Sequence, residues 1–449
     1  MKIPHQSIIY GTIVLTGVSF LCRFIGFFYR IFISQTFGEE GMGIFQLTAP
    51  VMSVAYSLCC AGFQTAISRF VAAKEDEPHA SLRFLFTGLC ITGIFSFFFS
   101  ILIYKCADFL AVSVILEPRT APILRLLALS FPFSAIHSCM NGYYYGKKKA
   151  EIPALLQFFE QIGRVGSVYI LCQIYLQSDR IPPLALTAVG TAIAECLSSL
   201  LSLCLILPYL SRLQTKLQNR LSFSQKHLLS YKKTASLLLS MAVPLSISRI
   251  IVNLLQSIEN IYIPEMLRAY GYTTKESLSL FGVLTGMALT VILLPSSLVN
   301  SISVLLLPRI SEAQSRNRDK DIALAIRRCI TFCFSLGIPC TAVFFFGGHL
   351  AGEILFHSEV AGNYIVSLSF ICPFLYITSS LGGILHGLGK TYTTLFINIG
   401  TLLIRIASVF FLVCRIGISG YILGLLAGQC FSAICCIFSL RKYAKVENK

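Results

Sequence analysis

The sequence predicts an all-α polytopic membrane protein of about twelve transmembrane helices, arranged as two six-helix lobes related by an internal repeat. Three observations predict it. Of 449 residues, 55% belong to the hydrophobic set and only 12% are charged, about half of the roughly 25% charge carried by a soluble domain. Apolar runs of about 20 residues, enough to cross a hydrocarbon core of about 30 Å, recur from end to end. The order of features in the first half of the chain returns in the second. The mean hydropathy of +0.76 excludes a soluble globular protein, and no stretch remains for a separate aqueous domain.

Apolar runs interrupted by charge place the spans at about 8–33, 42–69, 84–104, 121–145, 152–177, 184–208, 235–263, 279–308, 329–347, 364–388, 393–414 and 419–440. The run from Met1 to Phe37 is far longer than a signal-peptide core and has no small-residue cleavage pattern behind it. It is expected to remain as the first spanning helix. Counted from a cytoplasmic N-terminus, the inner segments hold 24 of the 36 basic residues and the outer segments seven. That asymmetry predicts a membrane protein with both termini in the cytoplasm, and it accounts for the formal charge of +16 without a nucleic-acid partner. The seventeen cysteines lie mostly within apolar runs, with no C-x-x-C pair, and read as small buried residues.

The longest inner connection, 209–234, carries Arg212, Lys216, Arg220, Lys226, Lys232 and Lys233 and no acid. It reads as a basic cytoplasmic linker, either lying on the anionic inner leaflet or serving as a connector with topogenic charge. It separates an N-terminal lobe, 1–208, from a C-terminal lobe, 235–449. A shift of 241 residues lays Phe131-Pro132-Phe133 on Cys372-Pro373-Phe374, Gly142 on Gly383, Gly146 on Gly387, Lys149 on Lys390 and Arg164 on Arg405. Slightly different shifts lay Gly190 and Cys196 on Gly424 and Cys430. Six spans per half is an even number, so both halves enter from the cytoplasm. Parallel repeats of this kind enclose a cavity and alternate its access by rocking.

With Arg69 and Arg125 near span ends counted to the adjoining segments, eight charged residues fall within spans: Arg23, Arg30, Arg164, Arg249 and Arg405, with Glu160, Glu195 and Glu259. Each costs roughly 2.5–3.5 kcal/mol at a helix centre, so the set is expected to face itself or water. Arg23 and Arg30, seven residues apart, share one face of the first helix. Arg30 lies near the outer end, where snorkelling is an alternative. Glu160 and Arg164 are spaced to neutralise one another. Arg405 has Thr401 in place of that acid, so its charge needs a partner from another helix or a ligand. Glu195 reads as a buried partner for one of the arginines, and Glu259 as a charge partner or a site of cation or proton coupling. The excess of arginines suits an anionic substrate, because guanidinium forks match phosphate oxygens.

Pro50, Pro132, Pro153, Pro244, Pro295, Pro339 and Pro373 offer places for bends. His137 and His386 read as satisfied helix residues, not metal ligands. There is no phosphate-binding loop, no G-x-G-x-x-G after a strand and no H-E-x-x-H. Neither a catalytic residue, a metal nor a cofactor is expected, and an enzyme is the least favoured class.

The segment Cys22-Arg23-Phe24-Ile25-Gly26-Phe27-Phe28-Tyr29-Arg30, followed by Gly38-Glu39-Glu40-Gly41-Met42-Gly43-Ile44-Phe45 and Pro50, resembles the opening of the stage V sporulation protein B group of polysaccharide exporters. Ile263-Pro264, Phe281-Gly282-Val283-Leu284-Thr285-Gly286-Met287-Ala288, Leu294-Pro295 and Pro308-Arg309-Ile310-Ser311 extend the resemblance over essentially the whole chain. The group belongs to the multidrug/oligosaccharidyl-lipid/polysaccharide flippase superfamily, which also contains the lipid II flippases. The resemblance implies two lobes forming a V around a cationic cavity, and outward movement of an undecaprenyl-diphosphate-linked saccharide. It assigns diphosphate contact to Arg23 and, one position out of register, to Arg30. In the group an acid commonly stands where Glu259 does. Gly43 or Ile44 stands where lipid II flippases have an aspartate, and no arginine lies midway through the second span.

The leading reading is a flippase for a lipid-linked oligosaccharide or peptidoglycan precursor, with Arg23, Arg30, Arg164, Arg249 and Arg405 as anion contacts. A coupling cation or proton, the bilayer and a cell-wall synthase are the candidate partners. The alternatives are a multidrug extruder of the same superfamily and a non-transporting envelope or spore assembly protein.

Overall fold

A computed structural model describes residues 5–74, 77–178, 183–217, 225–296, 299–300, 310, 313–314, 316 and 318–444. The described residues are almost wholly helical, with no strand among them. In hydrocarbon this follows from the backbone, because only a helix or a closed barrel satisfies every N–H and C=O without water. Nine described helices are long and apolar enough to span, and a pair bent by 51°, Pro118–Ala128 with Phe131–Gly146, makes a tenth. The first of the nine, Gly17–Ala73, takes in two of the expected runs. The helix Glu151–Gln177 falls short of the others in apolarity because Gln157, Glu160, Gln161 and Arg164 interrupt it. Of the expected linker 209–234, residues 209–217 and 225–234 are helical, ending the helix Leu186–Leu217 and opening the helix Gln225–Tyr270, and 218–224 lie outside the described residues, as do the Pro308-Arg309 pair and Ser311.

The chain divides into two compact units, one of residues 1–26 and 48–253, the other of 27–47 and 254–449. The first helix, α1 (His5–Tyr56), serves both. It is broken at Gly38, whose φ of 73° lies in the left-handed region that glycine enters without a Cβ penalty. The first unit continues with a π-helical turn, Ser57–Ala61, and α2 (Gly62–Ala73), α3 (Pro78–Phe109), α4 (Ala121–Ala128), α5 (Phe131–Gly146), α6 (Glu151–Gln177) and α7 (Leu186–Leu217). Proline occupies the first turn of α3, α4 and α5, where its missing N–H has no intrahelical acceptor to lose. Its core draws on Phe63, Ile67, Leu85, Met140 and Tyr143, all buried.

The long α8 (Gln225–Tyr270) ends the first unit at Asn253 and begins the second at Leu254. There follow α9 (Thr274–Gly282), opened by a capping box between Thr273 and Glu276, and α10 (Leu289–Leu293). Beyond them come α11 (Asp319–Phe356), α12 (Glu359–Leu368), α13 (Cys372–Gly387), α14 (Thr391–Ser408), α15 (Cys414–Ile416) and α16 (Ile418–Ala444). The repeat is visible in these bounds. α5 and α13 are each 16 residues long, start 241 residues apart and carry proline in the first turn. Each follows a short helix, α4 or α12, and precedes the helix that bears the repeated arginine, α6 or α14.

The repeated glycines explain how the last two spans of each half approach. A Cβ on Gly190 of α7 would lie 2.1 Å from Val168 Cγ2 on α6, and one on Gly424 of α16 would lie 2.3 Å from Ser408 Cβ on α14. Gly190→Leu and Gly424→Leu are each expected to destabilise the protein by about 1–3 kcal/mol through overpacking. A drop in the thermal midpoint of the detergent-solubilised protein checks this, and unchanged midpoints would contradict the close crossings.

Candidate functional site

In the first unit the α6–α7 crossing brings two carboxylates toward α5. Glu160 and Arg164, one turn apart on α6, form an ion pair. Glu195 projects from α7, and His137 from α5 stands between the acids, its Nδ1 3.5 Å from Glu160 Oε2 and 3.7 Å from Glu195 Oε2. Ser198, three residues beyond Glu195, brings its hydroxyl to 2.9 Å from the same nitrogen. A cavity of about 320 Å³ opens on this cluster, lined also by Gln64, Asn141 and Gln157. Glu195 Oε2 and Asn141 Oδ1 are shut off from solvent, and no described residue lies at hydrogen-bonding distance and angle to donate to them.

The imidazole and the two carboxylates offer atoms within 4.8 Å of one another, a spacing that would admit a metal ion. The donor set does not favour one: Arg164 already engages Glu160, and Ser198 already engages His137 Nδ1. With a neutral imidazole the four ionisable groups carry one uncompensated negative charge.

In the second unit the repeat mate of Arg164 finds a different acid. Arg405 on α14 donates from Nε to Glu259 Oε1 of α8 at 2.7 Å, and Tyr421 of α16 donates its hydroxyl to the same oxygen at 2.6 Å. Arg405 Nη2 donates to the Tyr421 oxygen at 3.1 Å. Glu259 and Tyr421 are each about 1% exposed, so the triad is a satisfied buried network joining three helices. Thr401, which stands where the first half has Glu160, turns its hydroxyl to the Ile397 carbonyl at 2.8 Å.

Two of the other arginines meet neutral oxygens. Arg30 donates to Thr290 Oγ1 at 2.6 Å within the second unit. Arg249 donates to the carbonyl of Ala61 at 3.0 Å and to Thr65 Oγ1 at 3.4 Å, serving the π turn of the first unit. Nearby, Asn253 donates to Ser57 Oγ at 2.6 Å. Arg23 lies exposed on the part of α1 that belongs to the first unit, so the two arginines that share a helix face in the sequence are divided between the units. Just past the break at Gly38, α1 carries Glu39, which accepts hydrogen bonds from Ser279 and Ser358 in the second unit.

Sequence reasoning found Glu160 and Arg164 as a pair and required a partner for Arg405. It missed His137 as the centre of a cluster, and it missed Tyr421 and Thr290. The i,i+4 spacing of Glu160 and Arg164 and the three-residue step from Glu195 to Ser198 were the available signals. They gain meaning only when α5, α6 and α7 meet.

Comparison with known proteins agrees with this architecture. The profile described as polysaccharide biosynthesis protein matches residues 8–314. Stage V sporulation protein B of Bacillus subtilis (strain 168) is 28% identical over 433 residues, covering 94% of this chain and 82% of the relative. Lipid II flippase MurJ of the same organism is 23% identical over 410 residues, covering 86% and 73%. Among solved structures, an inward-facing multidrug resistance MATE family transporter of the MOP superfamily superposes with a TM-score of 0.74 at 15% identity, over 97% of this chain and 98% of that one. Lipid II flippase MurJ in an inward closed conformation superposes at 0.72 with 15% identity, over 96% and 87%. At 15% identity these likenesses show a fold shared with those two proteins.

Proposed function

The chain belongs to the polysaccharide biosynthesis protein family, and on that premise we propose that it moves an undecaprenyl-diphosphate-linked oligosaccharide or peptidoglycan precursor from the inner to the outer leaflet. It is a multi-span membrane protein of the MOP flippase and transporter superfamily, related to a lipid II flippase and to a sporulation protein. The observation that carries the reading is this relationship along nearly the whole chain, joined to an excess of arginines over acids in the spans. Arg164 and Arg405 are already met by carboxylates. Arg30 and Arg249, which meet only neutral oxygens among the bonds described above, are the preferred contacts for diphosphate, and Arg23 joins them on the resemblance of its segment to the family's opening. With the N-terminus in the cytoplasm, a membrane potential negative inside favours outward movement of an anionic lipid headgroup.

Alternating access, not hydrolysis, supplies the movement in this proposal, and the relatives are transporters. The test is translocation of undecaprenyl-diphosphate-linked sugar in proteoliposomes, comparing the intact protein, Arg23→Ala and a protein-free control. Loss of one charge-assisted contact of about 1.5–3 kcal/mol lowers the rate at limiting substrate about ten- to a hundredfold. Full transport by Arg23→Ala at normal membrane levels would remove that residue from the site. No transfer of several lipid-linked sugars, with efflux of a cationic dye, would replace the flippase by a drug extruder.

A further inference from the structure

We propose that the groove between α11 and α16, with Arg441 at its mouth, binds one anionic glycerophospholipid of the inner leaflet, an acyl chain lying in the groove and the phosphate on the guanidinium. The inference stands whatever cargo the protein moves. Both helices belong to the second unit, where they pack against each other. Between them lies a cavity of about 370 Å³, walled by Ile326 and Ile330 of α11 and by Ile434, Ile437 and Phe438 of α16. Arg441 is the one charged residue that lines it.

The sequence of α16 sets out this face. The spacing 434, 437, 438 and 441 puts four side chains in one stripe of a helix, and at 1.5 Å per residue the stripe runs about 10 Å from its apolar start to its charged end. Ile434, Ile437 and Phe438 are 66%, 44% and 70% exposed, so no described helix of the unit covers them. The last turn of α16 is tethered by Lys390, which donates to the Ser439 carbonyl at 3.2 Å and lies 5.5 Å from the centre of the Tyr443 ring. Arg441 is exposed and makes no hydrogen bond or ion pair among the described residues.

The charged end selects the occupant. Lipid tails are as apolar as the groove, so contact with the chain alone confers little preference. The discrimination falls to the headgroup. A guanidinium fork matches the two free oxygens of a phosphodiester, and one arginine balances the single negative charge of that group. Arg441 closes its membrane span, Ile418–Arg441, which puts the guanidinium at headgroup depth. At the same end the exposed Lys320, Arg327 and Arg328 of α11 outnumber Asp319, while Asp321 is met by Arg318 at 3.8 Å. That excess favours a net anionic headgroup over a zwitterionic one. With the C-terminus in the cytoplasm, the mouth lies at the inner leaflet, where anionic lipids give the surface its negative potential.

Native mass spectrometry of the full-length protein in mild detergent, supplied with equal amounts of phosphatidylglycerol and phosphatidylcholine, tests the site. The wild type is expected to keep one phosphatidylglycerol per chain at an activation that strips phosphatidylcholine. Arg441→Gln is expected to weaken that retention about tenfold, the loss of one charge-assisted contact. Arg415→Gln, which removes another exposed arginine of the second unit, is expected to leave it unchanged. Ile437→Trp, which fills the groove and keeps the charge, is expected to weaken it as well. Phosphatidylglycerol should also raise the thermal midpoint of the wild type more than that of Arg441→Gln.

Equal retention by wild type and Arg441→Gln, or of the two lipids by the wild type, would overturn the proposal. Displacement by glycerol phosphate at matched concentration would make this a free-phosphate site, and preference for undecaprenyl phosphate would give it to a carrier lipid. A dimer of the wild type that Ile437→Trp dissociates would give the groove to a second copy of the chain.

Discussion

Glu259→Ala is expected to lower the stability of the protein by about 3–5 kcal/mol, because it leaves the Arg405 guanidinium buried without its counter-charge. Glu259 Oε1 takes both the Arg405 Nε and the Tyr421 hydroxyl, so one truncation unmakes two bonds and strands two donors. The cost is asymmetric. Replacing both charges by apolar side chains of similar size, Glu259→Leu with Arg405→Met, removes the stranded guanidinium, leaves only the Tyr421 hydroxyl without its acceptor, and is expected to recover most of the loss. Denaturant unfolding of the solubilised protein, read as a double-mutant cycle, measures this. A double variant no more stable than Glu259→Ala would contradict a closed triad.

Gly282→Ala and Gly43→Ala are expected to cost about 3 kcal/mol or more, at the upper end of overpacking effects. An added Cβ on Gly43 would lie 2.1 Å from the Leu278 carbonyl oxygen, and one on Gly282 would lie 2.4 Å from that of Glu39. Both obstacles are backbone, which cannot turn aside as a flexible side chain does. The control is Gly347→Ala on α11, where the new methyl meets nothing within 4 Å. There the exchange removes a helix penalty of about 1 kcal/mol, so the sign of the effect reverses. The recovered folded fraction after extraction, followed with temperature, distinguishes the three variants. A loss in all three would deny the crossing its special role.

Much of the fold was legible because it is written in hydropathy. Apolar runs mark helices in a membrane whatever their packing, and the repeat appears in the sequence spacing before it appears in α5 and α13. The need of Arg405 for a distant acid was legible for the same reason: a charge in hydrocarbon demands a partner. Which acid answers it was not, since Glu259 lies 146 residues away and only the rotation of α8 against α14 selects it. The cluster at His137 was hidden likewise. His137, Glu160 and Glu195 come from three helices, and each alone reads as an isolated or locally paired residue. The division of α1 was hidden because the change of allegiance after Gly26 falls inside one apolar run, 8–33.

That division bears on how the protein is made. The segment 27–47 leaves the ribosome among the first residues, yet its partners Leu278, Gly282 and Ser358 follow more than 200 residues later. During synthesis its small-residue face must wait, with Gly43 uncovered, until Leu278 of α9 arrives. Fragments cut at 253/254 would therefore not be self-sufficient halves: the C-terminal piece would lack a helix that only the N-terminal piece supplies. Late, non-local closure of this kind is slow, and it makes the early hairpin a natural client for whatever insertion machinery holds unpaired helices.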